Sequence, residues 1–281
     1  MNIYRFAILP LFLIGSLFAK AQHDTFGGYV GGMFYNGDLS PSNPIDHYKL
    51  VRPAFGVFMR SSLNEYLDIK PALTIGQVFG DDALFENNAE RNLSFKSIVA
   101  ELSFTAEWNL LKFEPNKKKD FTPFFYVGGA AYYFNPKAEY QGTWYALQPL
   151  NTEGQGSLGR PDPYKRVSVA IPFGGGLKFA FNKGIILTVE MGGRKIFTDY
   201  LDDISTTYPD YDEQINDFGV LSAALTNREN ELTGSTTPNW KEGDRRGGER
   251  YFDYYFTGGV TLAYPIYIAR GSNAMGCPSA F

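Results

Sequence analysis

Eight strand-like segments in this sequence are joined by links that alternate between short and long, and that alternation restricts the available folds more than any other feature. The segments run from Phe26 to Tyr35, Arg52 to Arg60, Tyr66 to Gly76, Ile98 to Trp108, Phe121 to Phe134, Arg166 to Phe181, Ile185 to Ile196 and Phe252 to Tyr264. The short links are Ser61 to Glu65, Leu110 to Asp120 and Asn182 to Gly184; the long ones are Asn36 to Val51, Gln77 to Asn92, Asn135 to Lys165 and Phe197 to Arg250. Consecutive antiparallel strands put successive links at opposite ends of a sheet, so every long loop falls at one end and every short turn at the other. A transmembrane barrel with both termini in the periplasm has that asymmetry. A soluble sandwich or lipocalin-like barrel shares the strand content but has no reason for it. The reading is all-β: an eight-stranded antiparallel transmembrane β-barrel with long extracellular loops and short periplasmic turns.

Within the segments the period is two. Phe252, Tyr254, Phe256, Val260, Leu262 and Tyr264 alternate with a second row, and Ile98, Ala100, Leu102, Phe104, Ala106 and Trp108 alternate with Ser97, Val99, Glu101, Ser103, Thr105 and Glu107. The Phe121 segment alternates poorly. Arg60, Asp68, Lys70, Glu101, Glu107, Lys178, Glu190, Arg194 and Asp253 all fall opposite the apolar row, which places them in a lumen. Eight strands leave an interior only wide enough for side chains to fill. These charges of both signs are therefore expected to pair with one another in a plugged barrel and not to line a pore. Pro71 and Pro172 sit inside strands, where a missing N–H predicts bulges near the rim. The glycine runs at 128–129, 174–176 and 258–259 read as points of close strand approach; a phosphate-cradling loop would need a Gly-Lys-Ser/Thr and a following helix that are absent.

The chain begins Met-Asn-Ile-Tyr-Arg, continues with an apolar run from Phe6 to Phe18, and then reads Ala19-Lys20-Ala21 before Gln22, the pattern of a cleaved signal peptide. The expected organisation is a signal over 1–21, a barrel over 22–270 and a periplasmic tail over 271–281. The apolar run is too short for the ~20 residues of a spanning helix, and later apolar stretches are broken by charges or glycines. A lipoprotein signal would need a cysteine after the cleavage site, and the sole cysteine is Cys277. Loss of Arg5 and Lys20 with the signal leaves 24 Lys+Arg against 30 Asp+Glu, which argues against a nucleic-acid partner.

Candidates for chemistry are few. His23 and His47 are the only histidines and fit no metal-ligand spacing. His47 follows Asp46 on a long loop, where an enzyme acting on lipid A or peptides would place its acid and base, although adjacent loop residues usually point apart. Asp199, Tyr200, Leu201, Asp202 and Asp203 open the last long loop. Their carboxylates, with nearby hydroxyls, offer calcium-type oxygen ligands without EF-hand spacing, while Leu201 and Ile204 predict packing on the barrel rim or on a partner. The same long loops would serve a surface ligand-binding barrel. Cys277, lacking an intrachain partner, predicts a free thiol or an intermolecular disulfide on the periplasmic side.

Two stretches carry a family likeness: Gly31-Gly32-Met33-Phe34-Tyr35-Asn36-Gly37-Asp38-Leu39 and Arg194-Lys195-Ile196-Phe197-Thr198-Asp199-Tyr200-Leu201-Asp202-Asp203-Ile204-Ser205-Thr206-Thr207-Tyr208. Together they resemble the PorG-like outer-membrane barrels of the Bacteroidetes type IX secretion system. The resemblance implies an outer-membrane lipid environment and a non-enzymatic anchoring or scaffold role. It also implies contact with the periplasmic ring formed by a lipoprotein and its partner subunit. It carries over no catalytic residue and no cofactor.

Overall fold

The computed structural model describes residues 23–85, 88–115, 120–235, 239–248 and 253–266. The expected signal over 1–21, Phe252 and the tail with Cys277 lie outside the described residues. Among the described residues there are nine strands: β1 (His23–Asn36), β2 (Arg52–Ser62), β3 (Leu67–Asp81), β4 (Ser94–Asn109), β5 (Asp120–Tyr140), β6 (Thr143–Ala146), β7 (Val167–Ala180), β8 (Ile186–Ile196) and β9 (Tyr254–Pro265). Eight of them close into an antiparallel wall in which each pairs with its neighbours and β9 returns to β1; β6 only extends the outer end of β5.

Paired residues followed once around this wall lead from Asp24 through Ser61, Ile69, Ala106, Val127, Phe173, Gly193 and Phe256 back to β1 at Phe34. That stagger of ten residues tilts the strands by roughly 40° and leaves no free edge. At the β5–β6 hairpin tip, Gln141 and Gly142 both have positive φ, 49° and 77°, as a two-residue turn of matching twist requires.

The exterior is apolar. Val30, Leu102 and Met191 are each more than 60% exposed, and Phe55, Leu73, Ile75, Val127 and Val169 continue the band. Trp108 stacks on Phe125 toward the turn end, and Phe34 stacks on Phe256 toward the loop end. These are positions of two aromatic girdles flanking a hydrocarbon-facing belt. A surface of this extent cannot be left in water, and this architecture is that of an outer-membrane barrel.

One expectation is corrected here. The prolines produce no bulges: the β2–β3, β3–β4, β5–β7 and β7–β8 registers continue unshifted past Pro71 and Pro172. Pairing is merely skipped opposite them, at Met59 and Arg60 on β2 and at Gly128 and Gly129 on β5, so the lost ladder bond is absorbed without an extra residue. The last long loop contains helices α1 (Tyr211–Phe218), α2 (Val220–Thr226) and α3 (Glu229–Thr233). The poor alternation of β5 also has its reason: Phe124, Tyr126, Tyr132 and Phe134 point inward and are buried, so both faces of that strand are greasy.

Candidate functional site: a closed lumen beneath a folded loop cap

The period-two pattern projects eight of the nine expected charges into the inner and middle barrel, where they meet as four cations and four anions. Glu107, fully buried, receives Arg60 at 2.8 Å and Lys178 at 2.7 Å, with Lys70 at 3.6 Å. Lys178 also binds Asp68 at 2.6 Å and Asn109 at 2.9 Å. Lys70 holds Glu190 at 2.7 Å, and Arg194 grips Glu101 at 3.0 Å beside Tyr255, whose hydroxyl donates to the same carboxylate at 2.5 Å. Low dielectric makes each of these pairs strong and each unpaired member costly. A pocket between these groups, bounded by Tyr29, Phe58, Lys70, Tyr126, Glu190 and Arg194, has a volume of about 30 Å³.

Asp253 departs from the expectation. It stands at the outer mouth, joins no ion pair among the described residues, and accepts the Leu201 N–H at 3.1 Å. Periodicity could place it on the inner face but could not reveal that no described cation pairs with it.

Above the charges the lumen turns apolar. Met33, Tyr35, Phe95, Tyr132 and Phe134 form a core with Leu201, Ile204 and Leu225 contributed from the last loop. Tyr164 stacks between Phe134 and Tyr200, with ring centroids at 6.0 and 4.7 Å, tying wall to loop. The segment expected to offer Asp199, Tyr200, Leu201, Asp202 and Asp203 to a partner is instead a stopper. Leu201, Asp202 and Asp203 are buried to within 1%, because Leu201 and Ile204 remove apolar surface from water by entering the barrel mouth. They also lie at the loop end, opposite the periplasmic turns.

Burying this segment requires its polar groups to be satisfied, and two arginines from distant loops do most of that. Arg246 donates to Glu153 at 3.0 Å and to the Asp203 carbonyl at 2.7 Å. Glu153 in turn accepts the N–H groups of Ser205 and Thr206 and the Thr206 hydroxyl. Arg91 clasps Asp82 bidentately at 2.8 and 2.9 Å and donates to the carbonyls of Arg246 and Asp38. Tyr35 donates to Asp202 from the barrel wall. None of these long-range partners is adjacent in sequence, so no local signal announced them.

Burial pushes the cap carboxylates up. Asp202 and Asp253 lie well above the usual range, through desolvation and the proximity of other carboxylates. For Asp203, burial outweighs Arg246 and the Thr152 and Tyr164 hydroxyls and raises it to about 6. An acid whose folded-state pKa is raised stabilises the fold at low pH and loses that contribution as pH rises through the folded value. The cap is therefore expected to loosen between about pH 4 and pH 6 on alkalinisation, read as faster protease cleavage of the loops. Asp203→Asn should flatten that profile without backbone cost, since its φ of 70° suits asparagine; an unchanged profile would assign the effect to another group.

The remaining candidates are placed as follows. His47 faces Asn36 at 3.0 Å and the Pro44 carbonyl at 3.1 Å, and Asp46 binds Lys49 at 2.9 Å, so the two do not form a dyad. No group of three or more metal-ligating side chains occurs among the described residues. A cleft of about 510 Å³ opens on the cap beside Trp240 and Arg245, but Arg91 and Arg246 in its wall are committed to Asp82 and Glu153.

One family model covers residues 4–225, most of the wall and the first half of the cap. The chain belongs to that family, described as a domain of unknown function, DUF6089. No curated protein matches this DUF6089 chain. Among solved structures it is similar to the N-terminal barrel domain of Pseudomonas aeruginosa OprF, at 10% identity and a TM-score of 0.35, covering 87% of this chain and 99% of that one. It is also similar to Yersinia pestis Ail in complex with the heparin analogue sucrose octasulfate, at 8% identity and 0.39, covering 87% and 98%. A third is Neisserial surface protein A, at 6% identity and 0.41, covering 87% and 97%. The fold of this DUF6089 member rests on its own closed strand pairing.

Proposed function

We propose that this protein is a non-enzymatic anchor or scaffold of the type IX secretion machinery, embedded in outer-membrane lipid after export by a cleaved signal. Its periplasmic side would bind the ring formed by a lipoprotein and its partner subunit. The observation that carries a scaffold role is the double closure of the barrel: eight lumen charges cancel in pairs and a buried loop segment stoppers the mouth. Such a barrel offers surfaces and not a route. The likeness of residues 31–39 and 194–208 to PorG-like proteins supports the choice of machinery. Burial of Asp202 and Asp203 moves the partner contact away from the last loop and toward the short turns and the tail.

Affinity purification of the tagged barrel from intact envelopes tests this. Ring subunits should copurify, and nonreducing gels of the eluate should show whether Cys277 links to one of them. Recovery of the barrel without any ring component, together with normal secretion in a deletion strain, overturns the proposal.

A further inference from the structure

Between the rims, the outward rows of the wall are free of charge among the described residues; at the loop end they carry Asp81 on β3, Lys96 on β4, Lys137 and Glu139 on β5 and Lys195 on β8, and Arg166 immediately precedes β7. Lys96 and Lys137 are directly paired across β4 and β5, and both face outward. Like charges opposite one another on a sheet repel. Among the described residues no ion pair reaches them: Glu139, two residues further out on the same face, forms one with neither, and Arg166 has none either. Arg166, the residue before β7, has its carbonyl on the Phe134 N–H, and its guanidinium donates at 3.3 Å to Asn135, which shares the outer face of β5 with Lys137 two residues further out.

Two of the three cations have an aromatic support. Lys96 Nζ lies 3.2 Å above the Trp144 ring centroid, and the Arg166 guanidinium lies 5.8 Å from Tyr133. Immediately toward the membrane, Ile98, Val167 and Val169 are 52%, 63% and 57% exposed. Basic heads above aromatic rings and an apolar wall match, in order, the phosphate, sugar and acyl portions of a phosphorylated glycolipid.

We infer that Lys96, Lys137 and Arg166 form a binding site for the phosphorylated headgroup of an outer-leaflet glycolipid, whose acyl chains lie along Ile98, Val167 and Val169. The inference rests on the outer-membrane reading and on the loop end facing outward. A headgroup phosphate supplies the counter-charge that the Lys96–Lys137 pair lacks among the described residues. The site lies outside both the lumen and the cap, so it anchors lipid without opening the barrel.

The test uses the full mature chain in phosphatidylcholine nanodiscs with or without diphosphoryl lipid A. Native mass spectrometry reads adducts and thermal unfolding reads stabilisation. Lipid A should be retained and should raise the unfolding temperature, while millimolar inorganic phosphate should do neither. Combined Lys96→Gln, Lys137→Gln and Arg166→Gln should weaken lipid A binding by about tenfold or more, and Lys96→Arg with Lys137→Arg should preserve it. If the neutral variant fails to insert, a salt titration of the wild type replaces it, because binding through these charges must weaken with ionic strength. Equal binding by the neutral variant, salt-independent binding, or equal stabilisation by phosphatidylcholine alone overturns the inference while leaving the membrane barrel intact. Failure of the wild type to enter nanodiscs overturns both.

Discussion

Glu107→Ala is expected to cost about 3 to 5 kcal/mol of stability, measured as a lowered urea midpoint for the barrel refolded in phosphatidylcholine vesicles. Glu107 is the carboxylate on which Arg60 and Lys178 converge, with Lys70 nearby, and its side chain has no exposure. Its removal leaves Arg60 without an ion-pair partner among the described residues and takes one of two from Lys178, which keeps Asp68. An uncompensated buried charge is far more costly than a missing pair. Arg60→Met combined with Glu107→Ala should therefore recover part of the loss, because it removes the stranded cation too. A single variant that unfolds at the wild-type midpoint would mean that water reaches these groups and that the lumen is not closed.

Arg246→Ala should have a comparably large but local effect. Arg246 joins the segment before β9 to Glu153 on the β6–β7 loop and to the Asp203 carbonyl, and it is buried. Alanine leaves Glu153 with backbone and threonine donors only and strands a buried carboxylate at about 1 to 3 kcal/mol or more. The expected result is rapid protease cleavage within residues 147–166 and 197–248 while the wall remains intact and heat-modifiable on gels. If wall and cap unfold together in the variant, the two are one cooperative unit, and the lumen alone does not hold the barrel.

Much of this molecule was legible in its residues. Strand count and sidedness followed from link lengths and a period of two, because both are local: a side chain two positions along faces the same way whatever surrounds it. For the same reason all nine lumen charges were placed on the inner face, the eight from Arg60 to Arg194 among them meeting in ion pairs. Closure into an eight-stranded wall followed from the need to leave no unpaired edge in lipid.

The loops were a different matter. Asp199 to Asp203 read as oxygen ligands or a partner contact, with Leu201 and Ile204 leaving the barrel rim and a partner both open as what the stretch packs on. Nothing within that stretch tells that Arg246, Glu153 and Tyr35 surround it. The helices of the last loop were missed because they are short, from five to eight residues, and such helices are held by packing more than by propensity. Asp253 was placed on the correct face but with the wrong company.

The sequence by itself determined the barrel: its strand number, its lipid-facing and inward rows, and which end carries the long loops. Only the tertiary structure decided that those loops fold down into a stopper and that lumen charges pair as Arg60 with Glu107 and Arg194 with Glu101. It alone brought Lys96, Lys137 and Arg166 to one place at the rim. The physical reason is range: strand alternation is set by neighbouring residues, whereas ion pairs and cap contacts are set by strand stagger and chain return across many tens of residues.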